Sequence, residues 1–134
     1  MSVGCVFMYK IIISGTRYFE DYELLCVTLD KFVGDITDNI EIVSGTCRGA
    51  DSLGERYAKE HNLTVKKFPA YWNAFGKRAG IMRNAEMADY ANALVAFWDG
   101  KSKGTKNMIY EAKKRGLRTT IVRYNVGETN DRDS

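Results

Sequence analysis

The sequence has little proline, little histidine and no long apolar run. Its 134 residues include one proline and one histidine. A membrane-spanning helix needs about 18–20 consecutive apolar residues, and no stretch of the sequence approaches that length. With 45% hydrophobic and 28% charged residues, the composition excludes a disordered or low-complexity protein. The length predicts a single globular domain.

Cysteine and histidine are too few and too scattered to predict a disulfide framework or a metal centre. The cysteines are three in number and widely spaced, at Cys5, Cys26 and Cys47, which favours a reduced, cytoplasmic protein. The single His61 lies on a helical pattern, so we expect no zinc site. Met1–Lys10 has neither a basic segment nor a small-residue cleavage motif, and therefore does not resemble a signal peptide.

Two common nucleotide-binding motifs are absent. There is no G-x-x-x-x-G-K-[ST] sequence, which excludes a P-loop, and no G-x-G-x-x-G dinucleotide fingerprint. The net charge is only +3, but it is unevenly distributed. Residues 14–61 carry five Lys/Arg and ten Asp/Glu, whereas residues 77–118 carry ten Lys/Arg and four Asp/Glu. The basic second half of the chain suits an anionic ligand.

Short β-branched runs alternate with helical patterns along the chain. Strands are predicted at Lys10–Ser14, Glu41–Ser44, Thr64–Phe68, Ala93–Phe97 and Thr119–Arg123, with four helices between them. This alternation predicts a single-domain Rossmann-like α/β sandwich of three layers with a mainly parallel five-stranded sheet. We place the domain at residues 10–123, between an N-terminal extension (1–9) and a flexible acidic tail (124–134).

The turns that follow the strands combine glycine with hydroxyl and basic residues. Ligands of such sheets bind beyond the carboxyl ends of the strands, where these turns meet. Glycine permits close approach of the backbone, and free amides, hydroxyls and arginines bind phosphate. The sequence therefore predicts a phosphate-binding site at this edge. Aromatic residues in the same turns, among them Trp72 and Trp98, could stack on a planar base.

Three segments resemble the SLOG superfamily of Rossmann-like nucleotide-binding proteins, in particular its small stand-alone bacterial and phage members. They are VSGTCRGAD (43–51), PAYWNAFGKRAGIMRNAEM (69–87) and VAFWDGKSKGT (95–105). The superfamily includes the "lonely guy" phosphoribohydrolases, which cleave the base–ribose bond of nucleoside 5′-monophosphates. Arg83 matches their arginine, and Gly100, Gly104 and Thr105 approximate their P-G-G-x-G-T-x-x-E loop.

The match to these enzymes fails at the catalytic carboxylate. Met108 occupies the position of their glutamate and can neither stabilise an oxocarbenium ion nor activate water. If the protein is an enzyme, its catalytic residues are expected to be Arg83 with Glu86 or Glu111. A second relative, the DNA-processing protein, has a similar S-G-x-x-x-G-x-D turn and binds single-stranded DNA, so nucleic-acid binding is another alternative.

The leading hypothesis is a module that senses or sequesters a nucleotide or a nucleotide-derived signal such as an ADP-ribose-like molecule. It needs no metal, and the resemblance implies a homodimer. We expect Asp51 to accept a hydrogen bond from a ribose hydroxyl or to orient Arg48. Trp72 or Trp98 is expected to stack on the base. The expected phosphate and ribose-phosphate contacts are Ser14, Gly15, Thr16, Arg17, Gly45, Arg48, Gly49, Lys77, Arg78, Arg83, Gly100, Ser102, Gly104 and Thr105.

Overall fold

A computed structural model describes residues 7–124. Within them the chain forms five strands and five helices in the order β1 (Met8–Gly15), α1 (Tyr22–Val33), β2 (Asn39–Ser44), α2 (Ala50–Glu60), β3 (Thr64–Lys67), α3 (Trp72–Phe75), α4 (Arg78–Tyr90), β4 (Ala93–Trp98), α5 (Lys103–Lys114) and β5 (Arg118–Arg123). All neighbouring strands are parallel. The predicted Rossmann-like α/β class is confirmed.

The strand order β3-β2-β1-β4-β5 places β1 at the centre of the sheet. The chain runs outward from β1 to β3 and then crosses back to add β4 on the other side of β1. Ser14 pairs with Ala96 and Gly15 with Phe97, so β1 and β4 end side by side. The direction of strand addition reverses between these two strands, and a crevice for ligands opens at such a point.

Each face of the sheet is covered by helices. Ile11 and Ile13 pack with Leu25 and Tyr57, from α1 and α2, in one apolar cluster. Ile12, between them, belongs to the other cluster, with residues of α4 and α5. Successive strand residues point to opposite faces, so a strand buried on both sides is a continuous aliphatic run. The Ile11–Ile13 run of β1 therefore contributes to both clusters.

Each strand differs from its predicted bounds by one or two residues at one end or both, and one helix was not predicted. β1 begins at Met8, because Met8 and Tyr9 pair with Asn39 and Ile40 of β2. The short helix α3 was not predicted, since its four residues, none of them buried, carry no apolar periodicity. The predicted acidic tail lies, apart from Tyr124, outside the described residues. Among residues 7–124, no helix is long and apolar enough to cross a bilayer.

Candidate functional site

A cleft of about 610 Å³ opens at the carboxyl ends of β1 and β4, with α4 forming its far wall. It is the point at which the strand order predicts a ligand site. The predicted site residues that line it come from every turn along this edge: Ser14, Gly15, Thr16, Arg17, Asp51, Trp72, Lys77, Arg83, Ser102, Gly104 and Thr105.

Buried polar side chains are concentrated at this cleft. Six of the eight buried polar or charged residues found among residues 7–124 line it: Ser14, Thr16, Asp51, Arg83, Asn84 and Thr105. Burying a polar group costs free energy unless it finds partners. Such a concentration at one concave surface indicates a binding site more than it indicates structural packing.

The turns after β1 and β4 are held together by hydrogen bonds. The Thr16 amide donates to the Phe97 carbonyl (3.0 Å), and the Thr16 hydroxyl accepts from the Asp99 amide (3.2 Å). The Asp99 carboxylate accepts from the amides of Lys101 and Ser102, both at 2.8 Å. Partial burial opposes ionisation of Asp99, but these donors outweigh it and the pKa of Asp99 is lowered.

Helix α5 begins directly at the cleft. The Ser102 hydroxyl caps it by accepting from the Thr105 amide at 3.3 Å, as an N-cap serine does. Asn84 on α4 donates to the Gly104 carbonyl (3.3 Å) and to Asn107 Oδ1 (2.8 Å). These bonds fix the two walls of the cleft relative to each other.

Asp51 lies at the floor of the cleft, in the first turn of α2. Its Oδ2 accepts from the amides of Gly45 (3.1 Å) and Cys47 (3.4 Å), so the carboxyl group organises the turn after β2. Burial raises the pKa of Asp51 to about 7, against the opposing effect of the Arg83 charge and the two amide donors.

Arg83 is buried beside this turn. Its Nη1 donates to the Gly45 carbonyl (2.5 Å) and its Nε to Asn84 Oδ1 (3.0 Å), while its Nη2 lies 3.8 Å from Cys47 Sγ. A Cβ on Gly45 would lie 2.8 Å from Nη1 of Arg83 and 2.9 Å from Oδ2 of Asp51. Gly45 is therefore required by packing between these two side chains, and it does not line the cleft.

The backbone conformation explains Gly49 and Gly100, and close packing adds to it at Gly49. Gly49 has φ +81°, and a Cβ there would overlap the carbonyl oxygen of Thr16, so the glycine lets two turns pack together. Gly100 has φ +85°, which favours glycine, and a Cβ there would meet the flexible end of the Arg123 side chain. Neither glycine lines the cleft, which corrects their predicted position there.

Three other predicted binding residues do not line the cleft. Trp98 is half-buried against the α4–α5 apolar cluster, and its Nε1 donates to the Ser102 carbonyl (3.0 Å). Of the two candidate tryptophans, only Trp72 lines the cleft. Arg78 is exposed at the start of α4 and away from the lining, and Arg48 lines a separate groove.

The carboxylates expected of an N-glycosidase are not in the cleft. Glu111 is buried and pairs with Arg115 at 2.5 Å, and Glu86 is exposed outside the lining. Met108 is fully buried in the apolar cluster. The cleft is lined by two carboxylates, Asp51 and Asp99, and both accept hydrogen bonds from backbone amides.

Several lining residues were not among the predicted site residues. The polar or charged ones are Tyr18, Cys47, Asn84, Asp99, Lys101, Lys103 and Asn107. Asn84 follows Arg83 directly, and a polar residue inside an otherwise apolar helical face could have identified it. Nothing in the sequence marks Asn107, because its position depends on the direction in which α5 leaves the sheet.

The lining carries an excess of positive charge. Arg17, Lys77, Arg83, Lys101 and Lys103 contribute five cationic side chains against the two carboxylates. Among the described residues, no group of three or more His, Cys, Asp or Glu could hold a metal ion. The arrangement is suited to bind an anion through cationic side chains, hydroxyls and the amino end of α5.

The fold and cleft define a Rossmann-like α/β protein with a basic cleft at the carboxyl ends of its strands. Residues 9–75 match the model of YAcAr, the YspA, cpYpsA-related SLOG family. The chain belongs to this family, which confirms the resemblance noted from the sequence and indicates a nucleotide-related function. It is 32% identical over 116 residues to the Gene 61 protein of Mycobacterium phage D29, covering 82% of this chain and 93% of that protein. No solved structure matches.

Proposed function

We propose that the protein binds a nucleotide or a nucleotide-derived molecule, ADP-ribose-like in character, and acts as a sensing or sequestering module. The observation that carries this proposal is the gathering of five cationic side chains around a cleft with a polar, hydrogen-bonded floor. Such a cleft offers cationic groups for a phosphate, hydrogen-bonding groups for a sugar and an apolar surface for a base.

Arg83 supports the phosphate assignment. A guanidinium has five N–H donors. The contacts with Gly45, Asn84 and Cys47 engage three of them, the last only weakly through sulfur. The remaining donors are available to an anion, since Arg83 lines the cleft. Charge-assisted bonds of this kind are the strongest that a protein offers to phosphate.

Asp51 supports the ribose assignment. Its Oδ2 is engaged by two amides, whereas no donor among residues 7–124 is hydrogen-bonded to Oδ1. A carboxyl oxygen in a cleft is a suitable acceptor for a sugar hydroxyl. Trp72 is 52% exposed at the rim, so one ring face can stack on a base.

A thermal-shift screen against nucleoside phosphates, ADP-ribose, NAD and cyclic dinucleotides tests the proposal. A ligand at about a hundred times its Kd adds about 2.7 kcal/mol, or roughly 8–12 °C in Tm for a domain of this size. Arg17→Ala should weaken binding by about 1.5–3 kcal/mol. Lys113→Ala, an exposed charge on α5 away from the cleft, is the matched control and should change nothing.

Chromatography of each mixture after the screen tests the alternatives. An intact ligand supports a binding module, and a released base would establish an N-glycosidase. If no small molecule shifts Tm, the small-nucleotide proposal fails, and single-stranded nucleic acid becomes the ligand to test, with affinity expected to fall steeply with salt. The homodimer stays a prediction, which sedimentation of the purified protein would test.

A further inference from the structure

A second cavity adjoins the cleft on the outer side of α2. It has a volume of about 230 Å³, and we call it the lateral groove. It lies at the carboxyl ends of β2 and β3, along the same sheet edge as the cleft. Its lining residues are Thr46, Cys47, Arg48, Ser52, Glu55 and Lys67.

The cleft and the lateral groove meet at Cys47, which lines both of them. Two consecutive residues in the first turn of α2 face opposite sides of this junction: Asp51 lines the cleft and Ser52 lines the groove. A ligand seated in the cleft can therefore extend into the groove past Cys47.

The groove has the chemistry of a sugar-phosphate site. Among residues 7–124, no carboxylate lies within 4.0 Å of the Arg48 guanidinium, so its charge is not neutralised by the protein. Glu55 lies 3.8 Å from Lys67 Nζ through one oxygen and accepts from the Ser44 hydroxyl through the other (2.5 Å). Cations bind phosphate oxygens, and a carboxylate accepts from ribose hydroxyls.

We propose, resting on the proposed function, that the ligand is a dinucleotide-like diphosphate that spans both cavities. The nucleoside and its phosphate occupy the cleft beside Trp72 and Arg83, and the second phosphate of the diphosphate lies beyond Cys47. The distal ribose lies in the groove, where Glu55 accepts from its hydroxyls and Arg48 and Lys67 bind the adjoining phosphate. A mononucleotide fills the cleft alone and leaves the groove free.

Calorimetric titration with AMP and with ADP-ribose tests this arrangement. ADP-ribose should bind at least about tenfold more tightly than AMP. Arg48→Ala and Lys67→Ala should each remove most of that advantage while AMP affinity stays within about twofold of the unmodified protein. Lys59→Ala, which deletes an exposed cation at the other end of α2, is the matched control and should leave both affinities unchanged.

Alkylation of Cys47 by iodoacetamide, followed by peptide mass mapping, provides an independent readout. Saturating ADP-ribose should slow its modification more than saturating AMP does. Cys26 on α1, which lines neither cavity, serves as the internal reference.

The outcomes separate this inference from the proposed function. Equal affinity for AMP and ADP-ribose, or an Arg48→Ala effect that is the same for both, overturns the spanning arrangement and leaves a nucleotide in the cleft. Absence of binding by either compound overturns this inference, and the proposed function fails as well if no other compound of the thermal-shift screen shifts Tm.

Discussion

The substitution Asp51→Asn tests whether burial at the floor of the cleft disfavours the ionised form of this carboxyl group. Asp51 is only 4% exposed, and burial raises its pKa from 3.8 to about 7. An asparagine oxygen can accept from the same Gly45 and Cys47 amides that Oδ2 engages. The variant therefore removes the charge and keeps the hydrogen bonds.

The pKa of Asp51 determines the sign and size of the effect on stability. Because its pKa is higher in the folded than in the unfolded protein, the folded state binds the extra proton between pH 4 and 7, and stability is lost as pH rises through that interval. Full ionisation costs about 4 kcal/mol. Between pH 5 and pH 8, the expected loss is about 2–3 kcal/mol of unfolding free energy.

Urea unfolding of both proteins at pH 5 and pH 8 measures this loss. The stability of Asp51→Asn relative to the unmodified protein should increase by about 2–3 kcal/mol from pH 5 to pH 8. Asp99→Asn is the control, because the pKa of Asp99 is lowered and its relative stability should stay constant over this range. A constant difference for Asp51→Asn as well would show that the carboxyl group is solvated and would refute the reasoning.

Three further predictions follow from the same contacts. Gly49→Ala should lower the free energy of unfolding in urea by about 2 kcal/mol or more, because Gly49 has a positive φ and an added Cβ would overlap a neighbouring carbonyl. Gly104→Ala is the control and should have a much smaller effect, because the space around Gly104 is open. Trp72→Ala should weaken ADP-ribose binding about tenfold in calorimetry, whereas Trp98→Phe should lower Tm and leave affinity within about twofold. ADP-ribose should bind about fivefold more weakly at pH 8 than at pH 6 as Asp51 ionises, and Asp51→Asn should abolish that difference in the same titrations.

The sheet could be predicted because its cause is local. A buried parallel strand must be apolar on both faces, and Ile11–Ile13 and Ala93–Phe97 satisfy this requirement with no reference to the rest of the chain. The alternation of such runs with helical patterns leaves few possible topologies. The edge at which the cleft opens follows from the topology alone.

Individual side chains at that edge could be predicted less well. A glycine beside a strand end can admit a ligand or another segment of the chain, and the sequence does not distinguish the two cases. Gly45 and Gly49 prove to admit Arg83, Asp51 and a neighbouring turn. Trp98 follows Phe97, and successive strand residues point to opposite faces, which carries its ring toward the α4–α5 cluster. The pairing of Arg83 with the Gly45 carbonyl joins residues 38 positions apart, which only the folded chain can specify.

The residues that build the cleft also limit how stable the protein can be without a ligand. Burial disfavours the charged form of Asp51 and raises its pKa, and the three nitrogens of the buried Arg83 guanidinium each have one partner, which for Nη2 is only the Cys47 sulfur. Burying a charged group destabilises a fold, yet this protein buries Asp51 and Arg83 at one place and fixes Arg83 through Asn84, which also bonds to the amino end of α5. An anion that engages Arg83 adds charge-assisted hydrogen bonds to those the guanidinium already makes. Binding of an anionic ligand should therefore raise the free energy of unfolding by more than the burial of ligand surface alone would.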